Sequence, residues 1–336
     1  MKERSRCDLV APMLALSLLV SCSMEKERRG TTEPATGTAA SLVSSKSTGW
    51  SEPVSLEINT AYTEQQPALS KNGLSLYFMS NRPEDLNDGD LEANIWVSHR
   101  ACLECAWQAP VELPAPVNGP SNDAQPSLSR DEHWLFFVTG RVAKQGNDIW
   151  VSYRDNVHDD LGWQAPAPLG PTVNTTALDG GPSYFANDGG SPQLFFFSDR
   201  VPATKTDIYM SELKSDGTWG IATPVAELNS TVADQKASVT PNGLEIYFWS
   251  ARDAKLGHAG ESFIWHSMRP SVSERWSKPT LVEDPVNSQP ATQPFIYIHG
   301  RSESLLIVRN TTTDPRKPAN LDIFEAARTR GGDQNR

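Results

Sequence analysis

Four carboxylate side chains recur at one position of a repeated sequence pattern, and they are the first candidates for chemistry. Each stands three residues before a proline, or before the residue that replaces it, at the expected start of a short apolar strand; the four are Glu64, Asp123, Asp179 and Asp234. The fifth repeat has Ala291 at this position. A ring of carboxylates at a channel mouth could coordinate a cation, bind a basic or hydroxyl-rich ligand, or supply the acid pair of a glycosidase. The alternative is structural, with each carboxylate accepting a backbone N–H and capping its own turn.

A second candidate is the acidic segment EDLNDGDLE, which offers oxygen ligands of the type that calcium prefers. The candidate metal ligands are Asp85, Asn87, Asp88 and Asp90. Their spacing does not match an EF-hand loop, so calcium is an alternative to a protein without any cofactor. The sequence has no G-x-S-x-G, H-E-x-x-H or phosphate-binding glycine motif. These observations favour a binding protein over an enzyme.

The elements that must position these residues are five copies of one sequence repeat. Each copy contains a Trp and a Pro three to five residues apart, then an Asn, a segment such as AQPSLS, an aromatic run such as LYFMSNR, and a closing segment such as DIWVSYR. The recurring asparagines are 55 to 59 residues apart; they are Asn59, Asn118, Asn174, Asn229 and Asn287. The apolar segments are short, rich in β-branched and aromatic residues, and bounded by turn residues, which predicts strands. Four strands in a repeat of this length are typical of a β-propeller blade.

The two ends of the repeated region indicate how the ring closes. In the first repeat, strands are expected at about residues 66–70, 75–80, 94–99 and 107–113. The fifth repeat lacks an outermost Trp/Pro strand, whereas residues 50–56 form one that precedes the first repeat. We therefore predict an all-β fold: a five-bladed β-propeller of four-stranded antiparallel blades, closed by the N-terminal strand. It spans residues 50–328 and is followed by a disordered tail over residues 329–336.

The motif Q-P-x-L-S…LYF-x-S-x-R…D-I-W-V-S resembles the WD40-like repeat of TolB-type and other bacterial envelope propellers. The resemblance covers residues 50–328, but the extra α/β domain and the usual sixth blade of a TolB are not visible. It implies a scaffold that binds an envelope protein or a glycan. Blades of this kind also serve catalysis. The alternative is therefore a carbohydrate-active, glycosidase-like enzyme that uses the carboxylates at the channel mouth.

The N-terminal segment predicts export and a lipid anchor. A basic start is followed by an apolar run over residues 9–20, which is too short to span a membrane and is typical of a signal peptide over residues 1–21. The run ends in Leu-Val-Ser-Cys, which resembles the lipobox of bacterial lipoproteins and implies acylation of Cys22. The alternative is an ordinary signal peptide with an incidental cysteine. Ser23 resembles an outer-membrane sorting signal, so we expect an outer-membrane lipoprotein that faces the periplasm or the surface.

Composition limits the partners and the role of the remaining cysteines. Residues 22–49 are rich in Ser, Thr, Gly and charged residues, which predicts a flexible tether. The net charge is −11, and −12 without the signal peptide, which argues against nucleic acid as a partner. Cys102 and Cys105 are expected to form a short-loop disulfide in an oxidising compartment, with a redox motif or a zinc site as alternatives. We expect a monomer.

Overall fold

The computed structural model describes residues 49–83, 92–141, 147–201, 205–252, 260–313 and 318–329. Within these ranges the chain forms twenty strands, β1 to β20, and no helix. The strands are arranged as five antiparallel sheets of four strands each. The predicted fold, a five-bladed β-propeller, is confirmed. A search of the same ranges for a helix long and apolar enough to cross a membrane finds none.

Blades 1 to 4 are built alike, with three strands of six or seven residues, innermost first, and an outermost strand of two residues. Blade 1 contains β2 (Glu64–Leu69), β3 (Ser75–Ser80), β4 (Asn94–His99) and β5 (Val111–Glu112). Blade 2 contains β6 (Asp123–Leu128), β7 (Trp134–Thr139), β8 (Asp148–Tyr153) and β9 (Ala167–Pro168). Blade 3 contains β10 (Asp179–Phe185), β11 (Gln193–Ser198), β12 (Asp207–Glu212) and β13 (Thr223–Pro224). Blade 4 contains β14 (Asp234–Val239), β15 (Glu245–Ser250), β16 (Phe263–Met268) and β17 (Thr280–Leu281).

Blade 5 is closed by the two ends of the propeller. Its three inner strands are β18 (Thr292–His299), β19 (Ser302–Asn310) and β20 (Leu321–Thr329), and its outermost strand is β1 (Val54–Ser55). Strand β1 pairs antiparallel with β20 and places Val54 opposite Glu325. The predicted closure by the N-terminal strand is therefore confirmed. It removes the exposed sheet edges that an open blade would leave.

The aromatic runs of the repeat fill the space between blades. In the cluster between blades 1 and 2, Tyr77 packs with Phe137 and Trp163, all nearly inaccessible to solvent. In four of the five blades the Trp also lies against the Arg at the end of the third long strand, whereas blade 3 has Leu213 in place of the Arg. In blade 2 the guanidinium carbon of Arg154 is 4.4 Å from the centroid of the Trp163 ring. Burial of these rings supplies the main stabilisation of the propeller, and each cation–π contact adds to it.

The recurring asparagines have a backbone role. The side chain of Asn118 accepts a hydrogen bond from Ile95 N at 2.9 Å and donates to Ile95 O at 3.0 Å. The other four bind the equivalent isoleucine in the same way; the pairs are Asn59 with Ile323, Asn174 with Ile149, Asn229 with Ile208, and Asn287 with Ile264. Each amide therefore continues the strand pairing where the two-residue outer strand has ended.

Candidate functional site

The four carboxylates singled out by the repeat begin the innermost strands of blades 1 to 4, and none of them is accessible to solvent. Each forms an ion pair with the arginine that follows the second strand of its own blade. The pairs are Glu64–Arg82 at 3.0 Å, Asp123–Arg141 at 3.1 Å, Asp179–Arg200 at 2.6 Å and Asp234–Arg252 at 2.5 Å. We call this end of the innermost strands the entry end.

The carboxylate oxygens are also occupied by the turn that leads into the strand. Asp179 Oδ2 accepts hydrogen bonds from the backbone N–H of Thr175 at 2.6 Å and from its hydroxyl at 2.9 Å, and Arg200 also donates to Val173 O at 2.6 Å. Burial raises the pKa of Asp123, while hydrogen bonds from Thr139 and Arg141 act in the opposite direction. The four carboxylates thus each point into their own blade, which favours the structural alternative over a shared binding ring.

A ring of bulged residues encircles the channel just inside the entry end. Each innermost strand has a β-bulge near its start, and one residue of the bulge has a positive φ. These residues are Gln66, Gln125, Gly181, Lys236 and Gln293. Gln293 Oε1 accepts from Gln66 N at 2.9 Å, and Gln66 Oε1 accepts from Gln125 N at 2.9 Å. Gln125 Oε1 accepts in turn from Gly181 N. This amide belt links blades 5, 1, 2 and 3 around the axis.

Lys236 is the member of the belt that departs most from the others. It occupies a glutamine position, is 4 % exposed, and its Nζ lies 3.5 Å from Pro182 O in the neighbouring blade. The belt residue of that blade is Gly181, which has no side chain to extend. Burial lowers the pKa of Lys236 to about 7, because a charged ammonium is poorly solvated inside the propeller.

A central pocket of about 300 Å³ opens at the other end of the innermost strands, which we call the exit end. Four aromatic side chains line it: Tyr184, Phe185, Phe295 and Tyr297. Serine hydroxyls from the strands add polar groups; Ser127 and Ser238 accept hydrogen bonds from Tyr184 N at 3.3 Å and Ile296 N at 3.0 Å. Their own O–H groups can then donate to a ligand. Apolar rings with a few fixed polar groups are typical of small-molecule sites.

Asp131 does not line this pocket but stands at its rim, next to the lining residue Arg130 in the turn between β6 and β7. Its Oδ1 accepts from Ser129 Oγ at 2.5 Å and from His133 N at 3.3 Å. The corresponding turns of blades 1 and 4 use Asn72 and Asn242, whose Oδ1 atoms make the same two hydrogen bonds. A neutral amide is therefore sufficient for the turn, and the charge of Asp131 is not needed to build it.

Asp188, in the next turn of the ring, gives the rim a second carboxylate. A side cavity of about 390 Å³ beside the central pocket is lined by Asp131 and Asp188, with Arg130, Lys71 and Tyr184. Arg130 Nη1 lies 2.6 Å from Asp188 Oδ2. Burial raises the pKa of Tyr184, and the charges of Asp131 and Asp188 raise it further. Both carboxylates therefore act on the same corner of the pocket. The sequence signal for them was the repeat turn that reads SRDE and FANDGG instead of SKNG or TPNG.

Other candidates from the sequence lie outside the described residues or away from the pocket. Cys22 and the acidic segment with Asp85, Asn87, Asp88 and Asp90 are not among the described residues. Within the described ranges, no group of three or more His, Cys, Asp or Glu side chains could hold a metal ion. Cys102 and Cys105 form a disulfide in the loop after β4, with Cα atoms 5.0 Å apart.

Comparisons with solved structures return five-bladed glycoside hydrolases. An α-L-arabinofuranosidase from Podospora anserina matches with a TM-score of 0.55 and 11% identity, over 84% of this chain and 97% of the other. A family GH43_1 enzyme from Xanthomonas citri, solved with xylotriose, matches with a TM-score of 0.58 and 12% identity, over 82% and 90%. An arabinanase from Bacillus subtilis gives 0.52 and 13%, over 80% and 94%. No protein-family model and no curated protein matches the sequence. At this identity the matches show the fold.

These comparisons correct two expectations from the sequence. The assignment to the WD40-like, TolB-type family is wrong, since the matching structures are glycoside-hydrolase propellers. The motif misled because its residues build the blade: the aromatic run fills the space between blades, and its final arginine pairs with the buried carboxylate. The expectation of a TolB-like binding scaffold is wrong on the same finding.

Proposed function

We propose that this protein is a carbohydrate-active enzyme of glycoside-hydrolase type that receives a sugar unit in the central pocket at the exit end. The observation that carries the proposal is that two carboxylates, Asp131 and Asp188, stand together beside one corner of this pocket. Aromatic faces pack against the C–H surface of a sugar, while hydroxyl groups bind its edges. The fold shared with an arabinofuranosidase and an arabinanase supports the same substrate class.

Glycoside hydrolysis needs two carboxyl groups that flank the scissile bond, one to protonate the leaving oxygen and one to act as nucleophile or base. The entry-end carboxylates are unsuited to this task because they are inaccessible to solvent and therefore to a substrate. Asp131 and Asp188 are exposed and line the side cavity, and Tyr184 lines both this cavity and the central pocket. We assign the acid pair to these two residues.

The test is hydrolysis of a panel of arabinose- and xylose-containing glycans, measured by release of reducing ends. Asp131→Asn should lower kcat by at least about 100-fold, the usual contribution of a general acid or base. The turn should survive, because Asn72 and Asn242 already serve in blades 1 and 4. Asp216→Asn is the matched control: Asp216 also caps its own turn, through Thr218 N at 2.9 Å, but lies in the loop between β12 and β13. Equal activity of wild type and Asp131→Asn on every cleaved glycan would rule out the assignment.

We also propose that the enzyme is exported and held at the outer membrane by acylation of Cys22. The signal-like segment 1–21 and the Leu-Val-Ser-Cys sequence support this location. Metabolic labelling with a radioactive fatty acid should label the wild type and not Cys22→Ser, and the variant should leave the membrane fraction. Labelling that persists in Cys22→Ser would contradict the anchor.

A further inference from the structure

Ser75, His99 and Asp160 lie in a row at the boundary between blades 1 and 2, with a hydrogen bond between Ser75 and His99 and a contact at ion-pair distance between His99 and Asp160. Ser75 and His99 lie opposite each other on β3 and β4. Ser75 Oγ is 3.2 Å from His99 Nδ1, and His99 Nε2 is 3.3 Å from Asp160 Oδ2. Asp160 comes from the loop between β8 and β9 of the neighbouring blade. The order hydroxyl, imidazole, carboxylate is that of a nucleophilic triad, which is recognised by geometry and not by sequence position.

The partners of Asp160 determine the tautomer of His99. Arg154, whose side chain is 2% exposed, forms an ion pair with Asp160 Oδ1, and Tyr77 donates a hydrogen bond to the same oxygen. Burial and the charge of Asp160 raise the pKa of Tyr77, so its hydroxyl remains a donor. A carboxylate carries no proton to donate, so the Asp160 oxygen beside Nε2 favours the neutral His99 tautomer that has its proton on Nε2. Nδ1 is then the acceptor for the Ser75 hydroxyl, as a general base requires.

The row opens into a cavity of about 460 Å³ that is distinct in its lining from the central pocket. The His99 side chain is 41% exposed and borders this cavity together with Ser75 and Asp160. Val97 and Val111 give it an apolar wall, and Asn72 lines it with a side-chain amide that can donate to an oxyanion. The rest of the lining consists of two carboxylates, Glu132 and Asp159, with Val157, His158 and Leu161. Together with Asp160 the carboxylates disfavour an anionic ligand.

The arrangement is specific to blade 1. In blade 2 the positions of Ser75 and His99 are occupied by Trp134 and Tyr153, and in blade 3 by Gln193 and Glu212. Blade 5 keeps the serine but not the histidine, because Ser304 stands opposite Ala327. The blade therefore does not need a Ser–His pair at this position, and the chain contains its own control serine.

We propose that Ser75, His99 and Asp160 form a second catalytic site that hydrolyses carboxylic esters with a short acyl chain and an uncharged alcohol. Ser75 Oγ attacks the acyl carbon while its proton moves to His99 Nδ1. The proton then passes to the alcohol oxygen as the ester C–O bond breaks and the acyl group stays on Ser75. Water adds to the acyl carbon and gives a proton to Nδ1, and the Ser75–acyl bond breaks as Oγ takes that proton back. Asp160 is a positioning residue that holds the Nε2–H tautomer.

The test uses the full chain, a fluorophosphonate probe and p-nitrophenyl acetate. The probe should label Ser75, as located by peptide mass spectrometry, and Ser75→Ala should remove both labelling and hydrolysis. Ser304→Ala should leave both unchanged, and His99→Asn should lower the labelling rate by at least about 100-fold. For Asp160→Asn, ¹⁵N NMR of the His99 ring should show loss of the Nε2–H tautomer that the wild type displays.

Ser75→Ala is a mild substitution, since the Ser75 side chain contacts His99 at a partly exposed position, and circular dichroism checks its fold. Probe labelling that is absent from Ser75, or equal on Ser75 and Ser304, overturns the proposal. The outcome is independent of the central pocket, because Asp131→Asn should not change labelling of Ser75.

Discussion

The two ends of the innermost strands differ in how much the blades resemble one another. At the entry end, blades 1 to 4 repeat the same carboxylate, the same arginine and the same capped turn. At the exit end, the turns differ from blade to blade, with Asn72 in blade 1, Asp131 in blade 2 and Asp188 in blade 3. Residues that recur in this propeller build the blade, so candidates for function are found where the repeats depart from one another.

Burial explains why the two ends follow different rules. The Asp179 carboxylate is 0% exposed, and a charge in that environment is tolerated only when it is paired and hydrogen-bonded. The Asp188 side chain is 71% exposed, so water can solvate it whatever its partner. A charge at the entry end must therefore keep its arginine, whereas a charge at the exit end can be recruited for binding or catalysis.

The largest difference between the two ends is expected when one carboxylate is removed from each. Asp179→Ala removes the carboxylate that neutralises Arg200 and accepts from the Thr175 N–H, and should lower the free energy of unfolding by about 3–5 kcal/mol. Asp188→Ala should change it by less than about 1 kcal/mol, because that pair is exposed. Urea unfolding measures both. Similar losses for the two variants would contradict the distinction between the ends.

Most of the fold could be predicted from the sequence. The strands expected at 75–80 and 94–99 match β3 and β4, because short runs of β-branched and aromatic residues bounded by turn residues leave few other interpretations. The outermost strand was expected at 107–113 but is the two-residue β5, Val111–Glu112. The asparagine that pairs with Ile95 explains the difference, since a side chain takes over hydrogen bonds that strand pattern reasoning assigns to backbone.

Between the two ends, Lys236 offers a test of the amide belt. Burial lowers its pKa to about 7, against 10.5 for an ordinary lysine, so the charged form of Lys236 destabilises the folded state. Below pH 7 both states are protonated and the penalty is fully present. As pH rises from 7 to 10.5, the folded state loses the proton while the unfolded state keeps it, so the stability of the wild type increases.

Lys236→Met should therefore raise the free energy of unfolding by about 2–4 kcal/mol below pH 7, since the pKa difference corresponds to at most about 5 kcal/mol. The advantage should shrink steadily towards pH 10.5. Urea unfolding across this range measures it, and Lys214→Met, at an exposed position in the β12–β13 loop, is the control. A constant difference at all pH values would show that Lys236 is charged in the folded protein.

A smaller effect is expected from one link of the belt itself. Gln125→Ala removes the acceptor for Gly181 N, a buried backbone N–H close to the channel axis. An unsatisfied buried donor costs about 1–3 kcal/mol, so the free energy of unfolding, measured by thermal denaturation, should fall by that amount. Gln235→Ala is the control, because the Gln235 side chain also makes a hydrogen bond between neighbouring blades, to Thr206 Oγ1, but accepts from no belt N–H. Equal shifts for the two variants would indicate that the belt acceptor stabilises the protein no more than another side-chain hydrogen bond between blades.

The site could be predicted less well than the fold, for a physical reason. Sequence repetition identified Asp123 as a special position, but repetition cannot distinguish a buried ion pair from a binding ring. The information that separates Asp131 from Asn72 is a single departure within a turn, and its meaning depends on which side chains converge there. Ser75, His99 and Asp160 come from two blades, so no local pattern connects them.

The smallest expected effect is the energy of the exposed pair itself. A double-mutant cycle on Arg130 and Asp188 should give a coupling of about 0.2–1 kcal/mol, because both side chains are exposed and water competes with their 2.6 Å contact. At an ionic strength of about 1 M the screening length falls to about 3 Å, so this coupling should vanish. The same cycle on Arg200 and Asp179 should retain most of its coupling in salt, since Asp179 is inaccessible. If the Arg130–Asp188 coupling persists in high salt, this ion pair is as strong as the buried pairs at the entry end. Asp188 is then held in place by Arg130, which contradicts its proposed role in glycan cleavage.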